Sequence, residues 1–176
     1  MYVKQRVRNH YDELKNQARE ISSDALPAYL KKVRLEEINH KSIVASKLWS
    51  LNPNRKVDWD WSFSKTYISK YPKSFDLSVW HQNTLLSLAL GRPTYKGTSM
   101  RLDFVERSPN TDVYSGQIFT INRLAYETYG RLIGAEFIRI MEPMNEKLIS
   151  HYLSNDKGFK LVPRKKDVPH YLVKKL

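Results

Sequence analysis

Between Phe75 and Leu132 the spacing of apolar residues changes from short runs and alternation to helical steps, which commits the chain to a fold where strands feed a long helix. Phe75 to Trp80 and Thr84 to Leu90 are apolar runs separated by His81-Gln82-Asn83, a hairpin signal. Gly91-Arg92-Pro93 breaks the second run, Tyr95-Lys96-Gly97 turns the chain, and Met100 to Glu106 alternates as a third strand. A three-strand antiparallel meander is therefore expected. Ile118, Ile121, Leu124, Ala125, Tyr129 and Leu132 then keep helical spacing up to Gly134, a helix-ending residue.

The flanking segments complete an α+β pattern. Val3, Val7, Tyr11, Leu14, Ala18 and Ile21 predict an amphipathic first helix, ended by Ser22-Ser23-Asp24 and Pro27. Leu30 to Ile38 alternates partly as a strand, with a continued helix as the alternative, and Ile43, Val44, Leu48 and Trp49 read as a helix stopped by Asn52-Pro53-Asn54. Val57 to Tyr71 is a short helix or loop with an aromatic face, whose rings are expected to pack in the core. Downstream, Phe137 to Met141 is a short strand, Leu148, Ile149, Tyr152 and Leu153 lie on a helix beginning at Asn145, and Phe159 to Val162 and Tyr171 to Val173 form a last strand pair. Residues 1–29 are expected to be a helical extension and 30–176 one domain.

At 176 residues the chain is the size of one domain with a real core. It has no apolar run near the roughly 20 residues needed to span a bilayer, and its first 15 residues lack the apolar block of a signal peptide, so a cytosolic protein is expected. No cysteine is present, which removes disulfides, thiolate metal sites and a cysteine nucleophile; no metal site is expected. The net charge of +12 is unevenly placed. Twelve basic residues face six acidic ones in 1–56, eleven face ten in 57–154, and seven face two in 155–176, so the ends carry +11 and the middle +1. Basic termini of this kind suit a polyanion such as RNA or tRNA, or simply form a solvated surface.

A meander that feeds a helix through a glycine-containing loop makes an anion site, because the free amides and the positive dipole end of the helix point out of the loop. That loop is Ser108 to Gln117, with Gly116 at the helix mouth. Pro109, Gly116, Gly134-Ala135, the strand Phe137 to Met141, Asn145, Tyr152 seven residues later, and Gly158-Phe159 follow in order. On the third strand Asp103 and Glu106 are three apart and would lie on opposite faces of a regular strand. His81 and His151 read as solvent groups.

This succession resembles the GNAT (GCN5-related) N-acetyltransferase superfamily, with the motifs between about residues 100 and 160. The resemblance implies a GNAT-like central, mostly antiparallel mixed sheet flanked by helices, with the first helix extra. It also implies acetyl-CoA, or another acyl-CoA, as co-substrate and an amine of unknown identity as acceptor. The pyrophosphate would rest on the amides around Ser115, Gly116, Gln117 and Ile118. The pantetheine arm would pair with the backbone of Phe104, Val105, Glu106 and Arg107, and Asn145 would steady it. Tyr152 would protonate the leaving thiolate, and Glu106, or else Asp103, would take the amine's proton.

The loop departs from the family pattern at Val113 and Ile118, where the family carries a Gln or Arg and a Gly or Ala; Arg107 or Arg123 would supply the missing charge. The resemblance thus points first to direct acyl transfer from acetyl-CoA to an amine. Two other readings are kept: a toxin-like member that acetylates aminoacyl-tRNA, and a non-catalytic binding module. A homodimer is left open.

Overall fold

The computed structural model describes residues 2–176, with side chains from residue 5 onward. In chain order its elements are α1 (Tyr2–Ala25), β1 (Val33–Glu36), α2 (His40–Lys47), α3 (Phe63–Lys70), β2 (Phe75–His81), β3 (Thr84–Gly91), β4 (Ser99–Leu102) and β5 (Phe104–Arg107). They continue as α4 (Ile118–Leu132), β6 (Phe137–Met141), α5 (Glu146–Asn155), β7 (Lys160–Val162) and β8 (Tyr171–Lys175).

The strands make two sheets rather than one. β1, β2, β3 and β5 are antiparallel neighbours in that order, while β4, β6, β8 and β7 form a mixed sheet in which β4 runs parallel to β6. The expected third strand, Met100 to Glu106, is therefore split: β4 belongs to one sheet and β5 to the other, with Asp103 at the break. Alternation was a true signal of extended backbone, but it carries no information about which partner each half takes. The sheets are stitched at this seam, where Arg101 N–H donates to the Arg92 carbonyl at 3.0 Å and Asp103 N–H to the Leu90 carbonyl at 3.1 Å. Beyond it β5 pairs only with β3, and β6 only with β4 and β8.

Two apolar layers hold this arrangement. One packs α1, α4 and α5 onto both sheets through fully buried residues such as Ala18, Leu30, Phe75, Ile121, Ala125 and Ile138. The other gathers Trp49, Trp61 and Trp80 with Trp59, Phe63, Tyr67 and Phe104 between α2, α3 and the opposite face of the first sheet. The aromatic stretch before Pro72 is thus core, as its residue types suggested.

The buried stripe of α1 runs through Leu14, Lys15, Ala18, Arg19 and Ser22 rather than through Val7 and Ile21, which are exposed. The side chain of Val3 lies outside the described residues. A polar anchor rotates the helix: the Arg19 guanidinium donates to the Asp76 carbonyl at 2.9 Å and to its carboxylate at 3.3 Å, inside the core. The far end of α4 is closed by Gly134 at φ +76°, a left-handed turn that glycine adopts without strain.

Candidate active site

Where β5 leaves β6 a cleft of about 520 Å³ opens, walled by β5, the end of β6, the first turn of α4 and α5. Its position follows from the split strand. β5 is bonded to β3 on one side and is an edge strand on the other, so Phe104 to Arg107 present unpaired backbone groups along that edge. Ser115 and Ile118 stand at the mouth of α4 and Tyr152 on the facing helix. Phe104, Val105, Glu106, Arg107, Ser115, Ile118, Tyr152 and Asp103 thus come together around one cavity. Gly116, Gln117 and Asn145 do not line it.

Tyr152 is buried, with its ring stacked on Phe119 at 4.2 Å between centres and 22° between planes. Burial pushes its hydroxyl up to about 12. Helical spacing puts Tyr152 about two turns beyond the N-cap Asn145, whose side-chain oxygen accepts from Leu148 N–H at 2.9 Å. Asn145 therefore fixes the start of α5 and its side-chain oxygen is already engaged.

The two carboxylates expected on opposite faces both turn toward the segment from Arg55 through α3, because the strand breaks at Asp103. Asp103 accepts from the Tyr67 hydroxyl at 2.6 Å and pairs with Arg101 at 2.6 Å. Glu106 accepts from Arg55 Nε at 2.6 Å and from the Trp61 indole N–H at 2.7 Å. The hydrogen bond to Glu106 raises the Arg55 pKa above its ordinary value against the opposing effect of burial. Burial, then the adjacent Asp103 charge, drives the Tyr67 hydroxyl far above the ordinary tyrosine range.

The loop before α4 winds into a short 3₁₀ turn, Ser115–Gln117, preceded by Tyr114 in a left-handed conformation at φ +53°. Its amides are partly used: Ser115 N–H donates to the Asp112 carbonyl at 3.0 Å and Gln117 N–H to the Tyr114 carbonyl at 2.8 Å. Gly116 faces open space, since a Cβ there would meet nothing within 4 Å. Of the two arginines expected to supply charge, Arg107 is half-exposed and pairs with Asp112 at 3.2 Å. Arg123 instead joins Asp156, Glu127 and Lys174 in an ion network.

Two site residues carried no sequence signal that singled them out. Asn122 donates to the Ile118 carbonyl and to the Ser87 hydroxyl, but its side-chain oxygen is buried in the cleft wall without a partner among the described residues. Glu142 follows β6 with φ +44°, a backbone state uncommon outside glycine and often found at functional sites. It lines this cleft and a second one of about 450 Å³ against α3, and the described residues give its carboxylate no hydrogen bond or ion pair. His151 also lines the first cleft, with its ring 6.2 Å from Phe119. His81 lies outside it, edge-on to Tyr114.

An open strand edge, a helix mouth beside it and an orphaned buried acceptor suit an elongated ligand with amide groups and a phosphate end. The fold is that of the GNAT N-acetyltransferases. Ard1 from Thermoplasma volcanium superimposes with a TM-score of 0.59 at 12% identity, covering 82% of this chain and 97% of that one. PaiA N-acetyltransferase from Thermoplasma acidophilum, solved in complex with coenzyme A, gives 0.56 at 14% identity over 82% of this chain and 99% of that one. A GNAT-family acetyltransferase from Staphylococcus aureus Mu50 gives 0.57 at 10% identity over 82% and 99%. No protein-family model matches the sequence, and no curated protein matches it either. No described helix is long and apolar enough to cross a membrane.

Proposed function

We propose that the chain is an acyl-CoA-dependent N-acyltransferase that moves an acetyl group from acetyl-CoA to an amine by direct attack. The observation that carries this reading is that the edge of β5, the mouth of α4 and an unpartnered Tyr152 hydroxyl share one cleft, and that this cleft meets the second at Asp103, Phe104, Met141 and Glu142. The first cleft takes the acyl donor and the second the acceptor.

In this reading the backbone of Phe104 to Arg107 pairs with the amide-bearing arm, with Asn122 as a further acceptor. The mouth of α4 from Ser115 through Gly116 and Gln117 to Ile118 faces the pyrophosphate, and Arg107 is the cation within reach. Asn145 acts through the cap that fixes α5. The amine nitrogen attacks the thioester carbonyl, the C–N bond forms, the C–S bond breaks, and the amine's proton passes to a carboxylate. Glu142 fits that last task better than Glu106 or Asp103, because both of these are held by cations while Glu142 stands unpaired where the clefts join. With a pKa near 12, against roughly 8.5 for a thiol, Tyr152 serves the departing thiolate as a hydrogen-bond donor, since complete transfer of its proton is uphill by about 1.4 kcal/mol per unit.

Release of free thiol from acetyl-CoA in the presence of amines tests the reading. Tyr152→Phe is expected to lower kcat by about 10- to 100-fold with acetyl-CoA affinity nearly intact. An unchanged kcat removes Tyr152 from the chemistry.

A further inference from the structure

The second cleft has a cationic floor that the transfer chemistry does not use. Arg92 and Arg101 are bonded neighbours across the seam, and Arg101 is in register with Arg139 on the parallel strand β6. Residues opposed in this way project to the same face, so Arg101 on β4, Arg139 on β6 and Arg92, just past the end of β3, form a row on the side away from Met100, Leu102, Ile138 and Ile140 in the core.

Their partners are unequal. Arg101 is neutralised by Asp103. Arg92 lies 3.8 Å over the Tyr71 ring and Arg139 4.7 Å over the Tyr171 ring, and neither has a carboxylate partner among the described residues. The Nε of each is buried with no hydrogen-bond partner. Lys70, whose ammonium is 5.4 Å from the Tyr71 ring, lines the same cleft as Arg92 and Arg101. Glu142 is the one unpaired carboxylate described there, and it sits at the entrance to the donor cleft.

A guanidinium clamped on an aromatic face and left without an anion is set to grip one, because its planar fork matches an oxyanion and little side-chain freedom remains to be lost. Resting on the donor and acceptor assignment above, we infer that the acceptor is a small amine that also carries an anionic group, a carboxylate or a phosphate. Arg92 is its main contact and Lys70 extends the cationic floor, while its amino end lies toward Glu142.

Matched acceptors test this with acetyl-CoA: ethanolamine without an anion, β-alanine and glutamate with one and two carboxylates, and phosphoethanolamine with a phosphate. The anionic members are expected to show kcat/KM roughly 10- to 100-fold above ethanolamine, the worth of charged hydrogen bonds. The better of the carboxylate and phosphate arms identifies the group. Arg92→Gln should cut kcat/KM for the anionic amines, through KM, roughly 10- to 100-fold more than for ethanolamine. Equal use of ethanolamine, or an equal loss for every amine, overturns the inference. A second measurement stands apart from turnover: glutarate or inorganic phosphate should raise the melting temperature of the wild type and not of Arg92→Gln. If neither anion stabilises the wild type the inference fails even for an active enzyme; if one does but no amine is acetylated, the transferase reading fails instead.

Discussion

Tyr152 stacks flat on Phe119, 4.2 Å between ring centres, and its hydroxyl has no hydrogen-bond partner among the described residues. The ring is thus held by packing alone, and the hydroxyl is spare. Tyr152→Phe should change stability at neutral pH by less than about 1 kcal/mol, since no hydrogen bond is broken. The alkaline limb should differ. The folded pKa of about 12 exceeds the unfolded value near 10, so the stabilising effect of the neutral phenol is complete below pH 10 and is lost as pH rises toward 12. Urea melts at pH 9 to 12 should show the wild type losing on the order of 2 kcal/mol more than the variant. Parallel limbs would contradict the burial of an unpartnered phenol.

Glu106 joins β5 to the segment before α3 through Arg55 and Trp61, with side-chain exposures of 4% and 10% for the pair. Removing one partner leaves a buried charge unmatched, so Glu106→Gln should cost about 3–5 kcal/mol. Activity measured on the fraction that remains folded should persist at low temperature. Complete loss of turnover in a folded, stable variant would return Glu106 to the role of base.

Asp156 ties the end of α5 to α4 and β8 through Arg123 and Lys174. Burial works to raise its pKa, but the hydrogen bonds from Lys174 and the Gly158 amide and the nearby Arg123 outweigh it and hold the carboxyl below the usual range. A depressed pKa contributes stability above the unfolded value near 3.9, lost as pH falls through the folded one. Asp156→Asn should therefore lose about 1–3 kcal/mol at pH 7 and show a shallower acid limb below pH 4 in thermal melts. An identical acid limb would contradict this.

Gly91 stands at the seam where β3 passes β4. A Cβ there would lie 1.9 Å from the Arg101 carbonyl oxygen, so Gly91→Ala must push the sheets apart. A loss of about 1–3 kcal/mol is expected, with weaker acetyl-CoA binding because the same seam sets the splay of β5. Full stability in denaturant titrations would show that the seam gives way cheaply.

Much of this was legible in the chain. The hairpin Phe75–His81 with Thr84–Gly91, the helix Ile118–Leu132, the strand Phe137–Met141 and the capped helix after Asn145 fall where periodicity and capping residues put them, because each is decided by neighbours in sequence. The cleft residues from Phe104 to Arg107, with Ser115, Ile118 and Tyr152, were named through the resemblance to the GNAT superfamily. The split at Asp103 was not legible, since it depends on which strand each half meets. The pairing of Glu106 with Arg55, 51 positions away, was hidden for the same reason. Glu142 shows itself only through its backbone, and the arginine row only through strand register, which places residues 92, 101 and 139 side by side.

The central claim is that this cleft holds an acyl-coenzyme A, and direct titration of the wild-type protein with acetyl-CoA in a calorimeter tests it most directly. Saturable one-to-one binding is expected, weakened by added salt because the phosphate end meets cations, and weakened again in Gly91→Ala. No heat of binding at millimolar acetyl-CoA, together with an unchanged melting temperature, would contradict it.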